Sequence, residues 1–413
     1  MTKNFWPLIV CLSFAAIACG SESDEDAPYL ILISIDGFGW NVQVANDTPA
    51  LDRIAASGVR AEAMRPVYPT MTFSNHYSIA TGLYPYQHGI VDNDFPNADR
   101  TAWYHFRDRD AVQDGSWYRG EPIWVSAEKN GITSAAFFFV GTEATIGGIL
   151  PTYWNAFDAS IPGEARVKQV LNWLALPDDE RPHMITLYFE NVDVAGHDFG
   201  PGTPESKEAV ILVDGFLLQL LDGIEDLEIR DDVYIIIVSD HGQAQYQTAD
   251  DAFVISDHVN LNGLTVVDHG SFVSIYVDSY DEERAQQVRD AVNDNWEYGH
   301  AYLRNESPEH WRVTDDPRFA DIAVLADPTY RVISNRDRPL RVKGGSHGWD
   351  PSFDDMRGIF LASGPQLPSG LTVGEINNVD VYPLMMGILG LPLPDEVDAK
   401  GNVLLPLLAQ PDR

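Results

Sequence analysis

Cysteine is nearly missing from this chain. Of its 413 residues only Cys11 and Cys19 are cysteines, both near the N-terminus, so no disulfide can close inside the remainder. Beyond them the fold must be held by its apolar core and by whatever it binds. Positive charge is scarce too: 27 Lys and Arg stand against 62 Asp and Glu, a formal net charge of -35. Such a surface repels a polyanion before contact, which argues against nucleic-acid polymers as partners. Past the N-terminal stretch no apolar run is long and unbroken enough to span a bilayer. No internal repeat or low-complexity linker appears.

What remains is the make-up of a globular protein, 45% hydrophobic and 22% charged. Residues 1–18 read as an export signal: Lys3, then a short apolar stretch from Phe5 to Ala18. Ala16-Ile17-Ala18-Cys19 resembles a bacterial lipobox, with acidic residues 19–28 as a tether behind a lipidated Cys19. The expected location is the bacterial cell envelope, as a periplasmic or outer-membrane lipoprotein touching membrane only through that lipid. Because Ala16 stands where a lipobox usually carries Leu, ordinary cleavage after a small residue is the alternative.

From Tyr29 onward apolar runs alternate with helical patterns. Strands are expected at Tyr29–Ile35, Ser134–Val140, Met184–Phe189 and Val233–Val238, separated by helices such as Thr72–Thr81 and Pro204–Asp222. That rhythm predicts an α/β fold, a mostly parallel sheet with helices on both faces. Residues 245–343 break it and predict a smaller α+β insert, with Ser271–Val277, Glu282–Asn295, Ile322–Ala326 and Tyr330–Ser334 as its elements. Strand Gly358–Ser363 and helix Val381–Gly390 return to the main domain, 29–244 and 344–413.

Three apolar runs end in acidic residues: YLILISI before Asp36, HMITLYFE shortly before Asp193, and VYIIIVS before Asp240-His241. In an open α/β sheet ligands gather beyond the carboxyl ends of the strands, so these carboxylates converge on one crevice. Asp193 and His197, four apart, share a face if the segment is helical, though Val194-Ala195-Gly196 also fits a loop. His347 sits in the Gly-rich turn KGGSHGWD, where the insert ends. Histidine nitrogen and carboxylate oxygen are the donors zinc takes, about four per ion at roughly 2.0–2.2 Å.

Five ordered segments carry a more specific reading. They are ISIDGF (Ile33 to Phe38), YPTMTFSNHYSIATGLYPYQHGIVDN (Tyr68 to Asn93), FENVDVAGHDFGP (Phe189 to Pro201), VSDHGQ (Val238 to Gln243) and GGSHGWD (Gly344 to Asp350). Together they resemble the nucleotide pyrophosphatase/phosphodiesterase family of the alkaline phosphatase superfamily. The resemblance implies an alkaline-phosphatase-like fold and two Zn2+ per chain. It assigns Asp36, Thr72, Asp240 and His241 to one ion and Asp193, His197 and His347 to the other. It implies Thr72, before Phe73, as the nucleophile, with Thr70 a bystander, and Asn93 as donor to a phosphate oxygen.

Phe73, Tyr153 and Trp154 are the expected substrate-contacting rings, able to stack on a base or to hold a choline headgroup. Met71 replaces a Lys common in the family, and Gln243 replaces Met, a change expected to affect packing more than chemistry. The implied reaction is hydrolysis of a small phosphodiester or phosphoanhydride through a phosphothreonine, the substrate being of nucleotide or choline type. A zinc phosphomonoesterase and a non-catalytic envelope binding protein are the alternatives.

Overall fold

The computed structural model describes residues 28–247, 252–337, 344–399 and 401–408; the expected signal and Cys19 lie outside them. In chain order the strands are β1 Tyr29–Ile35, β2 Val59–Ala61, β3 Ser134–Phe137, β4 Tyr153–Asn155, β5 Met184–Phe189 and β6 Val233–Val238. The insert adds β7 Leu264–Asp268, β8 Phe272–Val277, β9 Gly299–Leu303 and β10 Ile322–Ala326, and β11 Phe360–Ser363 and β12 Leu371–Val373 follow. The main sheet runs β12-β2-β11-β6-β1-β5-β3-β4. Within it β11 alone runs against the rest.

Strand β1 lies at the centre, and every residue of its YLILISI run is buried. Strand geometry sends alternate side chains to opposite faces, so one run supplies two cores. Leu30 and Leu32 join Met184, Ile236, Tyr77, Trp124 and Leu384 on one side. Ile31 and Ile33 join Ile185, Leu187, Leu51, Val167 and Val213 on the other. The first core is roofed by helices Thr72–Thr81, Ile123–Lys129 and Val381–Ile388, the second by Pro49–Ser57, Gly163–Leu174 and Pro204–Glu225. Burial on both faces is why the central strands read as unbroken apolar runs.

Helix Pro204–Glu225 shows how locally the roof is written. Thr203 accepts from Ser206 N as its cap, Pro204 opens the first turn, and Val210, Val213, Leu217, Leu220 and Ile224 form the buried stripe. Strand β3 is shorter than its apolar run because Phe138 takes a positive φ of 66° and ends the extended backbone.

The insert contains an antiparallel sheet, β7-β8-β10-β9, packed on helix Glu282–Asn293. Val273, Ile275, Val288 and Val324 are among its core, and Trp349, just past His347, is buried with them. A short strand Arg331–Ile333 pairs with Ala252–Val254 beside it. Strands β7 and β9 are absent from the sequence-based expectation: β7 is half-exposed, and Gly299-His300-Ala301 gives β9 a weak apolar pattern. The three-residue strands β2, β4 and β12 escaped notice because so short a run carries almost no periodicity.

Candidate metal centre

All seven expected ligand positions fall in one region at the carboxyl ends of β1, β5 and β6. Asp36 directly follows β1, Asp240 and His241 follow β6, and Asp193 and His197 lie on a helix, Asn191–Phe199, that starts just after β5. The alternative left open for residues 194–196 is thereby decided in favour of a helix. Gly37 is required here: its φ is +70°, and a Cβ would lie 2.9 Å from Asp193 Cα.

Two clusters result. Asp36, Asp240 and His241 each offer a ligand atom within 4.8 Å of the others, and so do Asp193, His197 and His347. His241 Nε2 is 3.0 Å from Asp240 Oδ2 and 3.7 Å from Asp36 Oδ1. His197 Nε2 is 3.4 Å and His347 Nε2 3.9 Å from Asp193 Oδ1. The His241 and His347 rings stack at 3.7 Å, joining the clusters.

The three rings share one device. Nδ1 of His241 faces Gly242 O at 3.1 Å, that of His197 faces Gly345 O at 3.2 Å, and that of His347 faces Thr70 O at 2.8 Å. A carbonyl accepts only, so each Nδ1 carries a hydrogen, and Nε2 is the nitrogen each ring can offer to a metal. This is the arrangement outer partners impose on metal-ligating histidines.

Electrostatics test whether a cation fits. Burial, then the charges of Asp240 and Asp193, push the Asp36 carboxyl well above the usual carboxylate range. Burial also opposes charge on Asp240, but His241 and His76 outweigh it and hold it well below. Burial and the neighbouring His241 and His197 press His347 well below the ordinary histidine value, keeping it neutral. Asp36 Oδ1 is buried with no hydrogen-bond partner among the described residues, and Asp240 Oδ2 is faced by the imidazoles of His241 at 3.0 Å and His76 at 3.3 Å. Orphaned buried oxygens are costly, and a divalent cation resolves the conflict by letting all three carboxylates ionise together. The donor set fits metal.

Thr72 is the first residue of helix Thr72–Thr81, and Met71 holds the cap position without a side-chain bond. The Thr72 hydroxyl is therefore not capping its helix; it faces His241 Nε2 at 3.4 Å. Asn93 Oδ1 accepts from Phe73 N at 3.0 Å, which orients its amide, and the residue lines a cleft of about 800 Å³. That cleft also meets Thr72, Asp193, His197 and His347.

The expected rings fare differently. Phe73 packs edge-on against Phe106, which lines the cleft, at 5.8 Å. Tyr153 and Trp154 do not line it. They belong to edge strand β4, where Tyr153 stacks on Trp173 and donates to Glu180 O. Strand β4 pairs with β3 and so continues the sheet outward, away from the crevice. Phe157, further along the same stretch, packs on Tyr188 instead.

Several residues to which the motifs assigned no role also touch the cluster. The Tyr188 hydroxyl donates to Asp36 Oδ2 at 2.6 Å. His76 bridges Ser34 Oγ at 2.7 Å and Thr72 O at 2.8 Å. Gln243 Nε2 donates to Asp193 Oδ1 at 2.6 Å and to Asp193 O at 3.0 Å, so its role is orientation of a ligand and not packing alone. Thr70 is no bystander either: its buried hydroxyl donates to Trp349 O and accepts from Gly348 N, both at 2.8 Å. It fastens the turn that carries His347. Thr70→Ala is expected to lower stability by about 1–3 kcal/mol, the cost of a buried partner left unmade; an unchanged melting temperature contradicts this.

A mostly parallel sheet with carboxylates and histidines gathered at its strand ends is consistent with an alkaline-phosphatase-like fold. The family model described as type I phosphodiesterase / nucleotide pyrophosphatase matches residues 30–350. Ectonucleotide pyrophosphatase/phosphodiesterase family member 1 of Rattus norvegicus is 32% identical over 401 residues, 94% of this chain and 43% of its own length. Venom phosphodiesterase CdcPDE of Crotalus durissus collilineatus is 33% identical over 402 residues, 95% of this chain and 48% of its own. The chain thus spans less than half the length of these curated relatives.

Among solved structures, murine ectonucleotide pyrophosphatase / phosphodiesterase 5 superposes with a TM-score of 0.85 at 27% identity, covering 92% of this chain and 100% of that one. An inactive form of the murine protein in complex with AMP gives 0.86 at 26% identity, covering 93% and 100%. This chain belongs to the type I phosphodiesterase / nucleotide pyrophosphatase family.

Proposed function

We propose that this protein is a zinc-dependent hydrolase cleaving phosphodiester and phosphoanhydride bonds of small nucleotide-type substrates through a phosphothreonine at Thr72. The observation that carries this reading is the Thr72 hydroxyl, uncommitted to its helix and 3.4 Å from the His241 ligand nitrogen. Two zinc ions, one at Asp36, Thr72, Asp240 and His241 and one at Asp193, His197 and His347, would supply Lewis acidity and charge neutralisation. The Thr72 hydroxyl gives up its proton to solvent, its oxygen attacks phosphorus, and the bond to the leaving oxygen breaks with its electron pair on that oxygen. Asn93, held by Phe73 N, donates its amide hydrogen to a non-bridging oxygen where charge builds. Water then cleaves the phosphothreonine and releases a monoester. The complex of the murine relative with AMP supports a nucleotide-type substrate. A choline-type diester is the competing outcome of a substrate screen.

Diesters are expected to exceed monoesters in kcat/KM by about tenfold or more, roughly 1.4 kcal/mol of discrimination. Met71, Asn93 and Phe106 offer neutral surface near Thr72, the segment 66–93 holds no Lys or Arg, and the two arginines lining the cleft, Arg107 and Arg331, come from other segments. A monoester dianion asks for further cations beside Thr72 itself. Comparing p-nitrophenyl thymidine phosphate with p-nitrophenyl phosphate decides it, and a monoester preference rejects the reading.

Export to the cell envelope with a lipid on Cys19 belongs to the same proposal. No helix among the described residues is long and apolar enough to cross a membrane. Cys19→Ala is expected to release the protein from the membrane fraction; a mature N-terminus elsewhere, without lipid, refutes the anchor.

A further inference from the structure

We infer that His269, carried by the insert, is a positioning residue for Asn93 and acts on it through Asp92. The inference rests on the hydrolase reading above and makes the insert a working part of the site. His269 lies in the turn between β7 and β8 and lines the cleft together with Thr72 and Asn93. Its Nε2 donates to Asp92 Oδ2 at 3.0 Å, and the two side chains are only 8% and 4% exposed. The other oxygen of that carboxylate, Asp92 Oδ1, accepts from Asn93 N at 2.7 Å. One buried carboxylate thus joins the insert to the residue whose amide meets the phosphate.

Asn93 is held at three atoms. Its Oδ1 accepts from Phe73 N at 3.0 Å and its carbonyl accepts from Phe106 N at 3.0 Å, both within the main domain. The third hold, from its own N–H, depends on where the Asp92 carboxylate sits. Burial pushes the Asp92 carboxyl above its ordinary value, and His269 pulls the other way. Burial likewise opposes charge on His269, but Asp92 outweighs it and raises the ring above the ordinary histidine value. A carboxylate out of water needs such a partner. Without it the group takes up a proton or turns toward the cleft, and either change weakens its hold on Asn93 N.

The ring itself is fixed. It stacks on the buried Phe272 ring at 4.4 Å, and His269 N donates to Phe272 O at 3.0 Å. Two positions on, Ser271 Oγ donates to His347 O at 2.5 Å. A single turn of the insert therefore supports both the amide that meets the phosphate and a ligand histidine. Removing a fixed donor from the place where charge builds typically costs about 10²–10³-fold in kcat. Loosening it costs a part of that.

The test measures kcat and KM for p-nitrophenyl thymidine 5′-phosphate on metal-loaded protein. His269→Phe keeps a ring on Phe272 and removes the donor. Its kcat is expected to fall about tenfold, with KM within about twofold of wild type and metal content unchanged. His269→Gln puts an amide donor at the reach of Nε2 and should bring kcat back to within about threefold of wild type. Asp92→Ala breaks the same link from its other end and carries the test should the Phe variant fail to fold; it is expected to cost kcat about as much. In an Asn93→Ala background either change should cost less than about twofold, because no amide is left to position. Losses that multiply with Asn93→Ala, a Gln variant as slow as the Phe variant, or an unchanged kcat in the single variants overturn the positioning role and leave the hydrolase reading intact. Wild-type protein inert on the diester overturns the hydrolase reading and the inference with it.

Discussion

Thr72→Ala is expected to lower kcat/KM by about 10³-fold or more while the protein stays folded and keeps its metal. The loss is large because the nucleophile itself is removed, and no neighbouring hydroxyl stands in for it. Thr70 is engaged with Trp349 and Gly348, and Ser74 is fully buried. Folding is spared because the Thr72 side chain makes no cap and contributes only the 3.4 Å contact to His241. Metal is spared because Asp36, Asp240 and His241 still meet in one cluster. The comparison of kcat/KM, melting temperature and metal content in one preparation checks all three statements. Near-wild-type turnover in the variant contradicts the covalent mechanism.

Removing metal is the second large effect. A chelator is expected to abolish turnover and to lower thermal stability together, both restored by a divalent cation. Ligand bound only to the native state stabilises it by about 2.7 kcal/mol at one hundred times its Kd. Here the loss also leaves three carboxylates crowded at one site, with the buried Asp36 Oδ1 unpaired among the described residues. Asp240→Ala should reproduce both losses. It removes the acceptor of Gly37 N as well as a ligand, so the turn after β1 loosens with the site. Elemental analysis should return about two zinc ions per chain. Active, undialysed protein without a transition metal, or a melting temperature indifferent to chelation, contradicts this.

The site was far more legible in sequence than the surfaces around it. Asp36, Asp193, Asp240 and His241 were visible because each lies at or near the end of a run apolar enough to be a central strand, and topology sends such ends to one crevice. His347 was readable only through its Gly-rich motif. The residues that hold the ligands in place left no such trace. Tyr188 looks like one more strand residue until its hydroxyl is seen on Asp36, and Gln243 looks like a packing substitution until it is seen on Asp193.

The positions around the cleft that the sequence left unplaced differ in cause. Tyr153 and Trp154 sit in a stretch of the right character, but a three-residue edge strand carries them outward. Which side of a sheet edge a ring occupies depends on pairing, and pairing of so short a strand is invisible in its sequence. Arg331 was hidden for the opposite reason. It comes from the insert, 259 positions after Thr72, and only the folded insert brings it to the cleft wall.

The central claim is a covalent phosphothreonine, and the stereochemistry at phosphorus tests it most directly. A diester made chiral at phosphorus with sulfur and oxygen isotopes, hydrolysed in labelled water, reports how many displacements occurred. Attack by Thr72 followed by attack of water is two in-line displacements, each inverting, so the account predicts net retention. Net inversion would mean that water attacks the substrate directly, and would contradict it.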